Sequence, residues 1–124
     1  MILVDASVWI AYLKNERKGN VLGRLLLTEE DNEIRTHPVV IGELYLGGLP
    51  AGVKALLAGL AVASVATHGE VLELIEGHPL IGRGVGYTDA HLLASARLTG
   101  AGLWTFDASL AAVAGEMGCS YLPA

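Results

Sequence analysis

Apolar positions along this chain follow two rhythms. Short runs rich in β-branched and aromatic residues stand at ILVD (2–5), IRTH (34–37), VASV (62–65), LWTF (103–106) and SYL (120–122), and they predict strands. Longer segments between them repeat at helical spacing and predict helices over about 7–14, 20–30, 39–47, 51–59, 69–77, 88–99 and 108–117. The last shows the i, i+3, i+4, i+7 stripe clearly, with Leu110, Val113, Ala114 and Met117 on one face. Ser7, Thr88 and Asp107 or Ser109 are candidate N-caps, while Gly47-Gly48 before Pro50, and Gly100, read as stops. Polar TEEDNE (28–33) reads as an exposed connection and GHPLIGRGVG (77–86) as a glycine-rich loop.

Strands alternating with helices in one short chain imply a mostly parallel sheet covered on both faces. The expected fold is a three-layer α/β/α domain with a sheet of about five strands. At 124 residues the whole chain, 1–124, reads as one domain. Hydrophobic residues make up 52% and charged residues 17%, which excludes disorder and hints that a partner or second copy covers part of the surface. No apolar run reaches the roughly 18 residues of a membrane span. The N-terminus lacks the basic and small-residue marks of a signal peptide, so Met1 is expected to lead straight into the first strand. A single Cys119 cannot form an internal disulfide, which fits a reducing cytoplasm.

The candidate chemistry lies in four carboxylates. In an open α/β sheet, ligands sit at the carboxyl ends of the strands. Asp5 closes the first predicted strand and Asp107 follows LWTF, so both belong to that edge, although either also suits a helix cap. Glu43 lies within the apolar stripe Val40, Leu44, Gly47, where a carboxylate needs an ion-pair partner, a cation, or a side chain bent out to solvent. Asp89 heads the stripe Leu92, Leu93, Ala96, though its place in the first turn also suits the helix dipole. Four such groups on one rim would repel one another when ionised, and a hard divalent cation relieves that. Oxygen ligands favour Mg²⁺ or Mn²⁺ over zinc, since the four histidines (His37, His68, His78, His91) show no ligand spacing and read as surface or packing residues.

A net charge of −5 at first argues against a nucleic-acid partner. Setting the four carboxylates aside leaves nine of the 13 acidic residues against eight basic ones, a nearly neutral body. The acidity is therefore concentrated where a cation would neutralise it, and a filled site can accept a phosphodiester. Candidate backbone contacts are Arg83 in the glycine-rich loop, Arg97 two turns beyond Asp89, and the cluster Lys14, Arg17 and Lys18, each of which also reads as ordinary surface charge. GRGVG (82–86) lacks the spacing of a dinucleotide fingerprint and reads as a turn. Trp9 and Trp104 read as core.

The opening ILVDASVWIAYL, the central PVVIGELYLG and the C-terminal GRGVGYTDAHLLASARLTGAGLWTFDASLAAVA together resemble the PIN-domain ribonucleases, and among them the VapC toxins of type II toxin–antitoxin systems. The resemblance covers nearly the whole chain. It implies a metal-dependent endoribonuclease in which Asp5, Glu43, Asp89 and Asp107 match the acidic quartet that holds the cation and carries catalysis, with Ser7 and Thr105 at accessory hydroxyl positions. It further implies a homodimer and a VapB antitoxin that reaches the acidic groove. Other folds that end strand one on Asp fit less well. A haloacid-dehalogenase-like phosphatase needs Asp where Ser7 stands, and a response-regulator receiver needs an acid in VASVATHG (62–69), which has none. A branched-DNA nuclease would need helical arches that this length does not accommodate. A non-catalytic RNA- or protein-binding module stabilised by a cation remains the alternative.

Overall fold

The computed structural model describes residues 1–28 and 33–123. The strands β1 (Ile2–Val4), β2 (Ile34–Thr36), β3 (Ala61–Val62) and β4 (Gly102–Trp104) form one sheet in the order β3-β2-β1-β4. Every pairing is parallel, with Leu3 opposite Arg35 on one side and Leu103 on the other. Seven helices connect and cover them among the described residues: α1 (Ala6–Leu13), α2 (Asn20–Leu26), α3 (Pro38–Leu46), α4 (Ala51–Gly59), α5 (His68–Gly77), α6 (Tyr87–Thr99) and α7 (Ala108–Glu116). A short 3₁₀ turn, Arg17–Gly19, precedes α2 and runs so close to α1 that a Cβ on Gly19 would lie 2.3 Å from the Tyr12 nitrogen. Consecutive residues Ile2, Leu3 and Val4 point to opposite faces, yet all three are buried, so both faces of the sheet are covered. This is the three-layer α/β/α architecture. Trp9 and Trp104 lie in its core.

The sheet has four strands rather than about five. The segment 120–122 adds one parallel bridge, Leu103 to Ser120, with Tyr121 N–H donating to the Leu103 carbonyl at 2.9 Å. Pro123 stands where the next ladder donor would be, and it has no N–H. β3 also falls earlier than VASV (62–65), because the backbone leaves the ladder after Ala63. Ser64 N–H donates to Thr99 Oγ1 and Ala66 N–H to Ser95 Oγ, so α6 side chains replace the neighbouring strand. α2 stops at Leu26 instead of running to 30; the Thr28 hydroxyl donates to the Leu25 carbonyl at 2.8 Å. Most of the polar connection expected at 28–33 lies outside the described residues.

The helix starts differ from the expected caps in ways that matter for the site. Asp107 does cap α7, its Oδ1 accepting from Leu110 N–H at 2.9 Å. The N-cap positions of α1 and α6 are held by Asp5, whose side chain makes no capping hydrogen bond, and by Gly86, so neither Ser7 nor Thr88 is a cap. Thr67, which is not among the expected caps, forms a reciprocal capping box with Glu70 at the start of α5. Gly100, at φ 73°, closes α6 in the left-handed conformation.

Candidate active site

β1 is followed in space by β2 on one side and by β4 on the other. The crevice between the C-terminal ends of β1 and β4 is therefore the point where strand order reverses, the usual ligand position in an open parallel sheet. Asp5 leaves β1 there and Thr105 leaves β4.

Asp5 is only 7% exposed and is held by two parallel relays. Phe106 N–H donates to Ser7 Oγ at 3.0 Å, and Ser7 Oγ donates to Asp5 Oδ2 at 2.8 Å. Asp107 N–H donates to Thr105 Oγ1 at 3.0 Å, and Thr105 Oγ1 donates to the same Oδ2 at 2.7 Å. Each hydroxyl has one proton and gives it to Asp5, so the 3.2 Å approach of Ser7 Oγ to Thr105 Oγ1 carries no hydrogen bond of its own. Both hydroxyls orient one carboxylate oxygen, and no described residue donates to the other. Asp5 is thus a pinned acceptor rather than a helix cap, and the backbone after β4 is tied to the backbone after β1 through it.

The other three carboxylates gather around this point. Asp89, half-buried in the first turn of α6, accepts the Gly86 N–H at 3.3 Å. Burial, with Asp5 and Asp107 nearby, raises its pKa above the ordinary value against the opposing pull of that hydrogen bond. Glu43 is likewise raised, first by desolvation and then by the charges of Asp5 and Asp89. Asp5 and Asp89 thus lie near enough to Glu43 to repel it, and Asp5 and Asp107 near enough to repel Asp89. Of the alternatives open to a carboxylate in that stripe, the structure takes the side chain bent out to solvent: Glu43 is exposed while Val40 and Leu44 pack inward. Asp107 is also exposed. Among the described residues, no three His, Cys, Asp or Glu side chains stand close enough together to grip an ion as placed. The donor set is oxygen from carboxylates and hydroxyls, which fits a hard divalent cation and not a thiophilic one.

α3 is anchored beside this rim by His37. Its ring Nδ1 accepts the Val39 N–H at 3.0 Å, so the proton sits on Nε2 and is donated to Ser95 Oγ at 2.9 Å. Burial, followed by His91, lowers its pKa to about 4 and keeps it neutral. It is a packing residue, as expected from the sequence, and through these two hydrogen bonds it pins the start of α3 to α6.

The structure brings neither arginine to the carboxylates. Arg83 pairs with Glu116 on α7. Arg97 lies eight residues beyond Asp89, about 12 Å along α6 toward the opposite edge of the sheet, and contacts His78 Nε2 at 2.9 Å. The lysines are better placed. Lys18 Nζ sits 5.1 Å from the ring centre of Phe106, the residue between Thr105 and Asp107 in the chain, and Lys14 shares a cavity wall with Glu43.

The sequence matches the PIN domain family over residues 2–116. The chain belongs to the PIN-domain family. Within it, the chain is 46% identical over 123 residues to Ribonuclease VapC32 from two strains of Mycobacterium tuberculosis, an alignment that spans 95% of this chain and 94% of each relative. This PIN domain is thus of the VapC kind. The fold is also that of PAE2754 from Pyrobaculum aerophilum, seen in a crystal structure: the TM-score is 0.57 at 21% identity, covering 90% of this chain and 77% of the other.

Proposed function

We infer that this PIN domain, a single unit over residues 1–124, is a metal-dependent endoribonuclease toxin that hydrolyses RNA phosphodiester bonds. The observation that supports the reading most is Asp5, pinned by Ser7 and Thr105 at the crevice where the strand order reverses, with Asp89 and Glu43 near enough to feel its charge. Relatives named ribonucleases point the same way. The four carboxylates would hold the cation, Mg²⁺ first and Mn²⁺ as a substitute. When bound, it supplies a water of lowered pKa and positive charge against the scissile phosphate.

The chain's own residues divide the remaining work. Asp5, immobilised by Ser7 and Thr105, sets the origin of the site. Asp89 approaches from the N-terminus of α6, where the helix dipole favours a negative group. Glu43 and Asp107, the two exposed members, would complete the ligand set and help orient the attacking water. In-line attack by water, with departure of the 3′ oxygen, leaves a 5′-phosphate and a 3′-hydroxyl. Lys18, rather than Arg83 or Arg97, is the cation placed to meet a backbone phosphate at this rim.

The partners follow from the same reading. A VapB-type antitoxin would block the groove; a cavity of about 310 Å³ lined by Ile10, Leu13, Lys14 and Glu43 offers an apolar seat directly beside the carboxylates. Exposed Tyr45 and Leu46 give α3 apolar surface for a homodimer. The setting for such an enzyme is the cytoplasm, where its substrate is. No described helix is long and apolar enough to cross a membrane.

The test is cleavage of total cellular RNA by antitoxin-free protein with Mg²⁺, Mn²⁺ or EDTA. Discrete products with 5′-phosphates, absent in EDTA, are expected. Cyclic 2′,3′-phosphate ends would refute the water mechanism. A folded, Mg²⁺-binding protein that cuts nothing would favour the non-catalytic binding module. Lys18→Ala is expected to weaken binding of single-stranded RNA severalfold and to reduce the slope of log affinity against log salt by about 0.7, as loss of one phosphate contact does. An unchanged slope would remove Lys18 from the interface.

A further inference from the structure

The C-terminal rim of the sheet does not end at the carboxylates. Following the strand order from β4 and β1, the next positions belong to His37 after β2 and to the segment leading into α5 after β3. There the chain assembles an aromatic row. His37 and His91 meet edge to face at 5.2 Å between ring centres and His91 and Tyr87 at 6.0 Å, while Tyr87 and His68 are tilted at 55° with centres 5.7 Å apart. The row runs from the fully buried His37 to Tyr87, which is 48% exposed, and to the exposed His68. Tyr87 Oη and His68 Nδ1 are 2.9 Å apart, which holds the phenol ring in place. Tyr87 also lines a cavity of about 180 Å³ with Ile81 and Val85, of which Ile81 is 92% exposed.

His37 serves the fold by pinning α3 to α6, but the exposed outer end of the row, Tyr87 and His68, faces solvent rather than the core. A half-exposed aromatic ring held in a fixed orientation is well suited to a flat ligand. His91 Nδ1 is buried without a partner. β3 lies two strands from β1, about 10 Å along the rim, within reach of a nucleotide adjacent to one held at the carboxylates.

We propose that the Tyr87 ring, set by His68 and His91, is a stacking platform for an unpaired nucleobase of the RNA next to the cleaved linkage. The proposal rests on the ribonuclease reading and narrows its substrate to single-stranded or looped RNA, because a base inside a duplex has no free face. Tyr87 acts in binding and positioning; it touches no reacting atom.

The test uses the full chain in Ca²⁺, whose loose coordination neutralises the carboxylates while leaving hydrolysis slow. Fluorescence anisotropy reads the affinity for short oligoadenylate and oligouridylate strands. Tyr87→Ala is expected to weaken binding about tenfold, as loss of one base–aromatic stack does. Tyr87→Phe, which keeps the ring, stays within about twofold of the parent. Abasic strands should lose affinity for the parent protein by a similar factor and lose nothing further with Tyr87→Ala, so a folding defect cannot imitate the result. Equal affinity of the parent and Tyr87→Ala proteins overturns the platform. So does a Tyr87→Phe protein as weak as Tyr87→Ala, and so does a parent protein with no affinity for either strand. If binding depends on Tyr87 but Mg²⁺ elicits no cleavage, the ribonuclease reading falls and the platform stands.

Discussion

Asp5→Asn is expected to lower RNA cleavage at least about a thousandfold while leaving the fold intact, because a neutral amide removes the charge on which a bound cation and its activated water depend. The variant keeps the geometry: an asparagine oxygen can still accept from Ser7 and Thr105, which donate to Asp5 Oδ2 at 2.8 and 2.7 Å. That makes Asp5 a cleaner probe than its neighbours. Replacing Thr105 would also strand the Asp107 N–H that now ends on its hydroxyl. The measurement is initial cleavage rate in saturating Mg²⁺, with thermal unfolding run in parallel. Cleavage within tenfold of the parent protein would remove Asp5 from the centre of the site.

Glu43→Gln is expected to move stability and activity in opposite directions. Desolvation, then Asp5, then Asp89 raise the Glu43 pKa above the ordinary 4.5, and no compensating hydrogen bond lowers it. A carboxyl whose folded pKa is raised favours the fold below its ordinary pKa, and that contribution is lost as pH rises through the raised value. At neutral pH, without metal, the folded protein therefore carries the cost of ionised Glu43. Glutamine removes the cost, so the metal-free variant should melt slightly above the parent at pH 7, solvent screening of the exposed side chain keeping the gap small, and the gap should close as pH falls below the ordinary 4.5. Adding Mg²⁺ should raise the melting temperature of the parent more than that of the variant, since a ligand stabilises only the state that binds it. Cleavage should fall roughly a hundredfold, by loss of one charged group from the site. A metal-free variant that melts at or below the parent at pH 7 would mean that Glu43 is not crowded by Asp5 and Asp89.

Much of the architecture is legible in the sequence because each element announces itself within a few residues. The alternation of β-branched runs with helical stripes marks the parallel sheet, and the buried run Ile2, Leu3, Val4 marks a strand covered on both faces. The departures have local causes that depend on distant partners. β3 shortens because Ser64 and Ala66 find acceptors on α6, and 120–122 makes one bridge because Pro123 cannot donate. Thr67 and Glu70, three residues apart, are a capping signal that the sequence does carry, although the apolar stripes alone do not reveal it.

The sequence by itself determined the alternating α/β class, the family, and which carboxylates stand at element boundaries, because periodicity, turn residues and ordered motifs are properties of neighbours along the chain. Only the tertiary structure decided how those groups meet. It turned Ser7 from a cap into a donor that shares Asp5 with Thr105, 98 residues away. It set Glu43 outside the apolar face, occupied Arg83 with Glu116, and left Arg97 at the far end of its helix. It also aligned His37 and His68 with Tyr87 and His91, a pair one turn apart on α6, into one row along the rim. Contacts of that kind follow from strand order and helix packing, and residue spacing along the chain carries no record of them.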